Sequence, residues 1–179
     1  EPFKGWALIG GFNGWGADLA LTSDGTYYVV KGVELEGELK FRKDADWAVN
    51  FGLAEGAAFA ANTEIAVAQD GANINVPAGT YDVYLDDANA KAWFITDGSY
   101  PGGGAAPEAS EWGVVGQVNG WAAPDITMYK TATEGLFVAY NIAMPDGGFK
   151  IRANGEWNDA ANYGLETAGP VEVDHYYPV

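Results

Sequence analysis

One ordered set of residues occurs twice in this chain, and that doubling limits the fold more than any single motif does. Trp6-Ala-Leu-Ile-Gly-Gly-Phe-Asn-Gly-Trp15 returns as Trp112-Gly-Val-Val-Gly-Gln-Val-Asn-Gly-Trp121. Leu39-Lys-Phe-Arg42, followed by Trp47 and Asn50-Phe-Gly-Leu53, returns as Phe149-Lys-Ile-Arg152, followed by Trp157 and Asn162-Tyr-Gly-Leu165. The copies lie about a hundred residues apart, too far for a solenoid unit and the size of a small domain, so the chain reads as two homologous modules. They share an apolar strand pattern, tryptophan, asparagine and cationic side chains. No acid, nucleophile or metal-ligand cluster recurs in register, and what is shared is the inventory of a binding module.

Short runs rich in aromatic and β-branched residues predict strands at Trp6 to Ile9, Tyr27 to Val30, Leu39 to Arg42, Ile74 to Val76, Tyr81 to Leu85 and Ala92 to Ile95. Gly, Asn, Asp and Pro separate them, with a turn expected at Pro77-Ala-Gly79 and a hairpin connection at Asp86-Asp-Ala-Asn89. The spacing is that of an all-β sandwich. Asp97 to Ser110 has the Gly, Pro and Ala content of a linker, which gives a first module over 1–97, a linker over 98–110 and a second module over 111–179. Only fourteen residues follow Leu165, whereas the first module uses about forty beyond Leu53 for three further strands. The second module is therefore expected to lack its closing hairpin.

Charge and composition exclude several classes of function. With 48% apolar and 14% aromatic residues, the chain has ample material for packed cores and does not read as disordered. Its net charge of -16 repels nucleic acid and polyanions generally. The absence of cysteine removes disulfides, thiolate metal sites and a cysteine nucleophile. No apolar run is long enough to span a bilayer and Glu1 opens the chain without a signal peptide, so the expectation is a cytosolic protein or a mature fragment without its export signal.

Strand alternation selects the residues that meet a ligand. If Leu39 and Phe41 face the core, Lys40 and Arg42 face the other way, and Phe149 with Ile151 orients Lys150 and Arg152 alike. A tryptophan-bearing turn follows each pair, at Lys43 to Trp47 and Ala153 to Trp157. A sugar suits such a surface, because its C–H face stacks on an indole while Arg, Lys and Asn bond its hydroxyls. Trp6, Trp112 and Trp93 sit in strand patterns and read as core. Trp15 and Trp121 follow Asn-Gly in a loop, where ligand contact and loop anchoring stand level. Trp47 and Trp157 lean toward the ligand. Solvation or carboxylate pairing is the usual fate of residues such as Lys40, Arg42, Lys150 and Arg152, and Asn50 and Asn162 read first as backbone-bonding turn residues.

These phrases, with Asn73-Ile-Asn-Val-Pro77 and Gly79-Thr-Tyr81, resemble the tandem C-terminal modules of SusE/SusF-type outer-membrane lipoproteins of Bacteroidetes. The resemblance implies immunoglobulin-like β-sandwich modules that hold α-glucan at the cell surface near an importer complex, tethered by a lipid anchor absent from this chain. It also implies a cradle of paired aromatics with Lys or Arg and an amide: Trp15, Trp47, Lys40, Arg42 and Asn50 in one module, Trp121, Trp157, Lys150, Arg152 and Asn162 in the other. The modules differ in two respects, Lys43-Asp44 against Ala153-Asn154 and a Trp47-to-Asn50 gap two residues shorter than its counterpart.

Catalysis is the class least favoured by the residues. A glycosidase needs two carboxylates facing each other, and Asp46 has only Glu156 as its counterpart, beside the tryptophan. The lone His175 has no repeated partner for a triad or a metal, and Asp86-Asp87 matches no defined calcium loop. The sequence thus predicts passive, non-catalytic carbohydrate capture with no cofactor or metal. The alternatives are a structural spacer or adhesion module, or capture of a different polysaccharide.

Overall fold

The structure, a computed structural model, describes residues 4–157 and 161–164. It is all-β, and its only helical elements among these residues are three-residue 3-10 turns. Two compact units divide after Pro107, with Tyr140–Ala143 counted to the first, and each carries its own antiparallel sheet. The expectation that the second module lacks a closing hairpin concerns residues after Leu165, which, with His175, lie outside the described residues.

In the first unit, β1 (Trp6–Gly10), β2 (Leu19–Ala20) and β3 (Thr22–Ser23) precede the long β4 (Tyr28–Lys43). The hairpin strand β5 (Asp46–Leu53) follows, then β6 (Ile65–Gln69), β7 (Ile74–Asp86) and β8 (Lys91–Ile95). Hydrogen bonding runs from β4 through β5, β6, β8 and β7 and returns to β4, closing a circuit. It closes because β4 is long enough to serve two sets of neighbours: Tyr28 to Leu39 pairs with β7, while Leu39 to Lys43 lies between β1 and β5. Closure leaves these five strands fewer open edges to attract other chains.

Two pairs of expected strands are therefore single strands. From Tyr28 on, the Tyr27 to Val30 segment is part of β4, as is Leu39 to Arg42, and Ile74 to Val76 and Tyr81 to Leu85 are both part of β7. Pro77-Ala-Gly79 is not a turn. It lies where the ladder slips between Leu35 and Gly37, and a proline without an amide hydrogen is tolerated at such a bulge. A second slip between Val30 and Val33 encloses Gly32, whose φ of 63° is open to glycine at little cost. Strands β5 and β6 were not foreseen, and β5 carries both Trp47 and Asn50.

The core is set by alternation on these strands. Trp6, Leu8, Leu39, Phe41, Ile74, Val76, Val83 and Phe94 are almost fully excluded from water in one cluster. Tyr84, Trp93 and Ile95 point through the opposite face of β7 and β8, where with Val29 they form a second cluster against Tyr27 and Tyr100. The segment read as a linker thus begins as part of the first unit: Pro101 is buried, and Tyr100 donates its hydroxyl to Asp24 at 2.9 Å. Burial, then that carboxylate, raises the Tyr100 pKa.

The second unit orders its strands as β11 (Phe137–Val138), β10 (Ile126–Lys130), β9 (Ala109–Gly116), β12 (Phe149–Ala153) and β13 (Asn162–Tyr163). Its registers copy the first. Trp6 opposes Lys43 and Ala7 opposes Arg42, as Trp112 opposes Ala153 and Gly113 opposes Arg152. Arg42 opposes Asn50, as Arg152 opposes Asn162.

The turns after β4 and β12 are also alike. Asp44 and Ala45 have φ of 57° and 55°, and Asn154 and Gly155 have φ of 55° and 69°, the positive values a type I′ turn requires. Asn-Gly adopts this conformation easily, whereas alanine has a β-carbon that opposes it. Ala45→Gly should therefore stabilise the first unit by about 1 kcal/mol, measured as a shift of its urea midpoint without a change in slope.

Candidate functional site

Each site starts at the end of a strand. Gly10 and Gly116 close β1 and β9, and a β-carbon there would lie 2.4 Å from the Glu38 carbonyl or 2.5 Å from the Gly148 carbonyl. Only glycine lets the backbone pass so near. The chain then makes one 3-10 turn, in which the Oδ1 of Asn13 or Asn119 accepts the Gly10 or Gly116 amide at 3.0 and 2.9 Å. The Asn side-chain amides donate onward, from Asn13 to the Ala17 carbonyl and from Asn119 to those of Ala122 and Pro124. Gly14 and Gly120, both at φ 64°, turn the chain back, and the Trp15 and Trp121 amides each bond the strand-end carbonyl at 2.8 Å. Both tryptophans sit in the left-handed region, at φ 59° and 61°, which costs a bulky residue about 1–2 kcal/mol.

The turn delivers each indole to a second one. Trp15 and Trp47 have ring centroids 6.3 Å apart and planes inclined by 37°; for Trp121 and Trp157 the values are 6.2 Å and 29°. These four rings are 38–54% exposed, whereas Trp6 and Trp93 are 2% and 7% exposed, which separates site from core. Trp112 is half-buried beside Phe137 and Tyr163, the counterpart of the Trp6–Phe51 stack.

Alternation on β4 runs as the sequence requires, with Leu39 and Phe41 in the core and Lys40 and Arg42 on the reverse face. That face is not open water. The Arg42 guanidinium lies 4.9 Å from the Trp47 ring centre and that of Arg152 lies 4.4 Å from Trp157, and their side chains are only 13% and 4% exposed. Each guanidinium meets a carboxylate with two hydrogen bonds, Arg42 to Asp18 at 2.7 and 3.0 Å and Arg152 to Asp125 at 2.7 and 2.7 Å. The Asp125 bonds raise the Arg152 pKa. Of the five N–H donors on each arginine, three remain beyond that fork.

No acid recurs in strict register, yet one meets the same arginine in both modules. A carboxylate does recur, but three residues after Trp15 and four after Trp121, because Pro124 lengthens the second loop. Strict register hid the pair. An acid shortly after each Asn-Gly-Trp was the available signal, and it needed an allowance of one residue.

The amides are placed beneath the site. Asn50 is 3% exposed; its Oδ1 accepts from Lys40 Nζ at 3.1 Å, and its Nδ2 donates to the Trp47 carbonyl at 2.9 Å and Asp70 at 2.7 Å. Both of its N–H groups are engaged, so Asn50 braces Trp47 and does not line the surface. Asn50 bonds backbone as the sequence suggested, but from within strand β5 instead of a turn, and its burial takes it out of the cradle surface. Lys40 keeps two donors. Asn162 is half-buried with no partner for Oδ1 among the described residues, and the Lys150 stem runs along Gly164. Asp46 caps its turn by accepting the Ala48 amide, and Asp87 accepts from Trp6 Nε1. Among the described residues, no three His, Cys, Asp or Glu side chains are grouped so as to hold a metal ion.

Such a site offers two inclined apolar faces beside a few fixed N–H donors, which suits adsorption of a ligand that is flat and apolar on one side and polar at its rim. Comparison with protein-family models, curated proteins and solved structures returned no match to this chain. The division between core and surface tryptophans carries a stability difference. Trp6→Ala should cost the first unit about 3–5 kcal/mol, while Trp47→Ala should cost about 1 kcal/mol, both read from denaturant unfolding.

Proposed function

We propose that this chain is a non-catalytic carbohydrate-capture protein. Each module stacks one or two glucose units of an α-glucan on its tryptophan pair and bonds their hydroxyls through arginine and lysine. The observation that carries this reading is the duplication of an exposed pair at nearly one geometry, 6.3 and 6.2 Å between centroids, in both repeats. Exposing four indoles, and holding two of them at unfavourable φ, works against stability, and such features concentrate where a surface binds.

The inclination of the rings favours a curved chain over a flat one. Coplanar rings suit a ribbon such as cellulose, and planes at 29–37° follow the bend of a helical α-glucan. Two sites on one polypeptide raise avidity for a polymer through effective concentration. The resemblance to SusE/SusF-type lipoproteins supports the same ligand, and from it we place the protein at the outer face of an outer membrane, delivering glycan to an importer.

Affinity electrophoresis through gels containing starch, pullulan, xylan, mannan or no polysaccharide tests this. Starch and pullulan should retard the protein, and Trp47→Ala and Trp157→Ala should each weaken retardation by about 1–3 kcal/mol of binding free energy per site. Lys40→Ala should weaken it less. Retardation by xylan or mannan alone would replace the ligand, and unchanged migration in every gel would favour a spacer or adhesion role.

A further inference from the structure

The arginines do more than offer N–H donors to a ligand. Arg42 and Arg152 are largely withdrawn from water, each is already held by a carboxylate, and each guanidinium lies over the ring of the tryptophan most exposed in its module. With the guanidinium in place, Trp47 and Trp157 remain 45% and 54% exposed. The carboxylate determines where that guanidinium sits, because a two-bond fork fixes both the position and the plane of the arginine, which a single lysine contact would not.

We infer that Asp18 and Asp125 are positioning residues: through the paired arginine each holds Trp47 or Trp157 at its inclination to Trp15 or Trp121, and so sets the stacking surface without touching the ligand. The placement supports this on three grounds. Each aspartate lies on the loop that carries the first tryptophan of its pair, Asp18 three residues after Trp15 and Asp125 four after Trp121. Each arginine lies on the strand that leads into the turn before the second tryptophan, so the ion pair ties the two tryptophan-bearing segments together. The arrangement is also reached by loops of different length, so the carboxylate position recurs where the loop sequence does not.

Neutralisation has a second consequence. With each guanidinium matched by a carboxylate on a chain of net charge -16, the arginines add no net positive charge to attract uronic acids or sulfated sugars, which leaves Lys40 and Lys150 as the cations of the two sites.

Two readouts, one of them free of ligand, test the positioning role. Indoles about 6 Å apart at a fixed angle couple their transitions and give a paired circular-dichroism band, and subtracting the Trp47→Ala spectrum isolates the first pair. In Asp18→Asn this band should collapse and starch retardation by the first module should fall about tenfold, with the second module as internal control. Asp125→Asn should do the same to the second pair. Asp18→Glu should partly restore both signals, since it returns the fork on a longer stem.

Because Asp18→Asn leaves a buried guanidinium unpaired, the full chain is also made as Asp18→Asn with Arg42→Gln, which removes both charges. If that variant folds and loses the coupled band, the inference stands even where the single variant unfolds. A coupled band unchanged in either folded variant overturns it. The inference rests on the capture reading for its binding arm only: coupled bands that respond as expected in a protein that no gel retards would sink the glycan reading and leave the positioning role intact.

Discussion

The register between three adjacent strands is the constraint on which both sites depend. In the first unit Ala7, Arg42 and Asn50 lie side by side across β1, β4 and β5, and in the second Gly113, Arg152 and Asn162 do so across β9, β12 and β13. Side chains alternate with a period of two, so a slip of one residue would send Arg42 into the core and Phe41 to the surface. The full burial of Leu39 and Phe41 forbids that slip. Core packing therefore decides which face carries the arginine, and the arginine then meets whatever the neighbouring loops bring to it.

Those loops are built to be stiff. A glycine too close to a neighbouring carbonyl to bear a β-carbon, an asparagine that bonds both ends of the turn, and a tryptophan at positive φ occur in the same order in both modules. A stiff loop limits the conformational entropy lost when a ligand is stacked on it, a cost that flexible side chains pay in full. The buried ion pair fits the same logic: it adds little net stability over an apolar pair, but it specifies geometry.

Much of this was legible in the sequence, for identifiable reasons. The repeat announced two modules, and alternation over Leu39 to Arg42 sorted core from reverse face, since side-chain direction in a strand is a local property. The division of Trp6 and Trp93 from Trp47 and Trp157 followed from strand context. Strand boundaries were less legible. Pro77-Ala-Gly79 carries the residues of a turn, yet pairing with β4 holds β7 extended through it and turns the irregularity into a bulge. Strand β5 escaped notice because its residues alternate weakly, and its place is fixed by neighbours on both sides.

By itself the sequence determined an all-β chain of two related modules, a recurring set of tryptophan, arginine, lysine and asparagine, and the face on which the residues of Leu39 to Arg42 stand. These follow from composition and from a period of two, both readable one strand at a time. Tertiary structure alone decided that Asp18 and Asp125 clasp the arginines, that Asn50 braces from beneath, and that the indoles meet in pairs at 6.2–6.3 Å. The ion pairs and the indole pairs depend on distances between residues 24 to 36 positions apart, and such distances are set by cross-strand pairing and loop path, which no local pattern encodes.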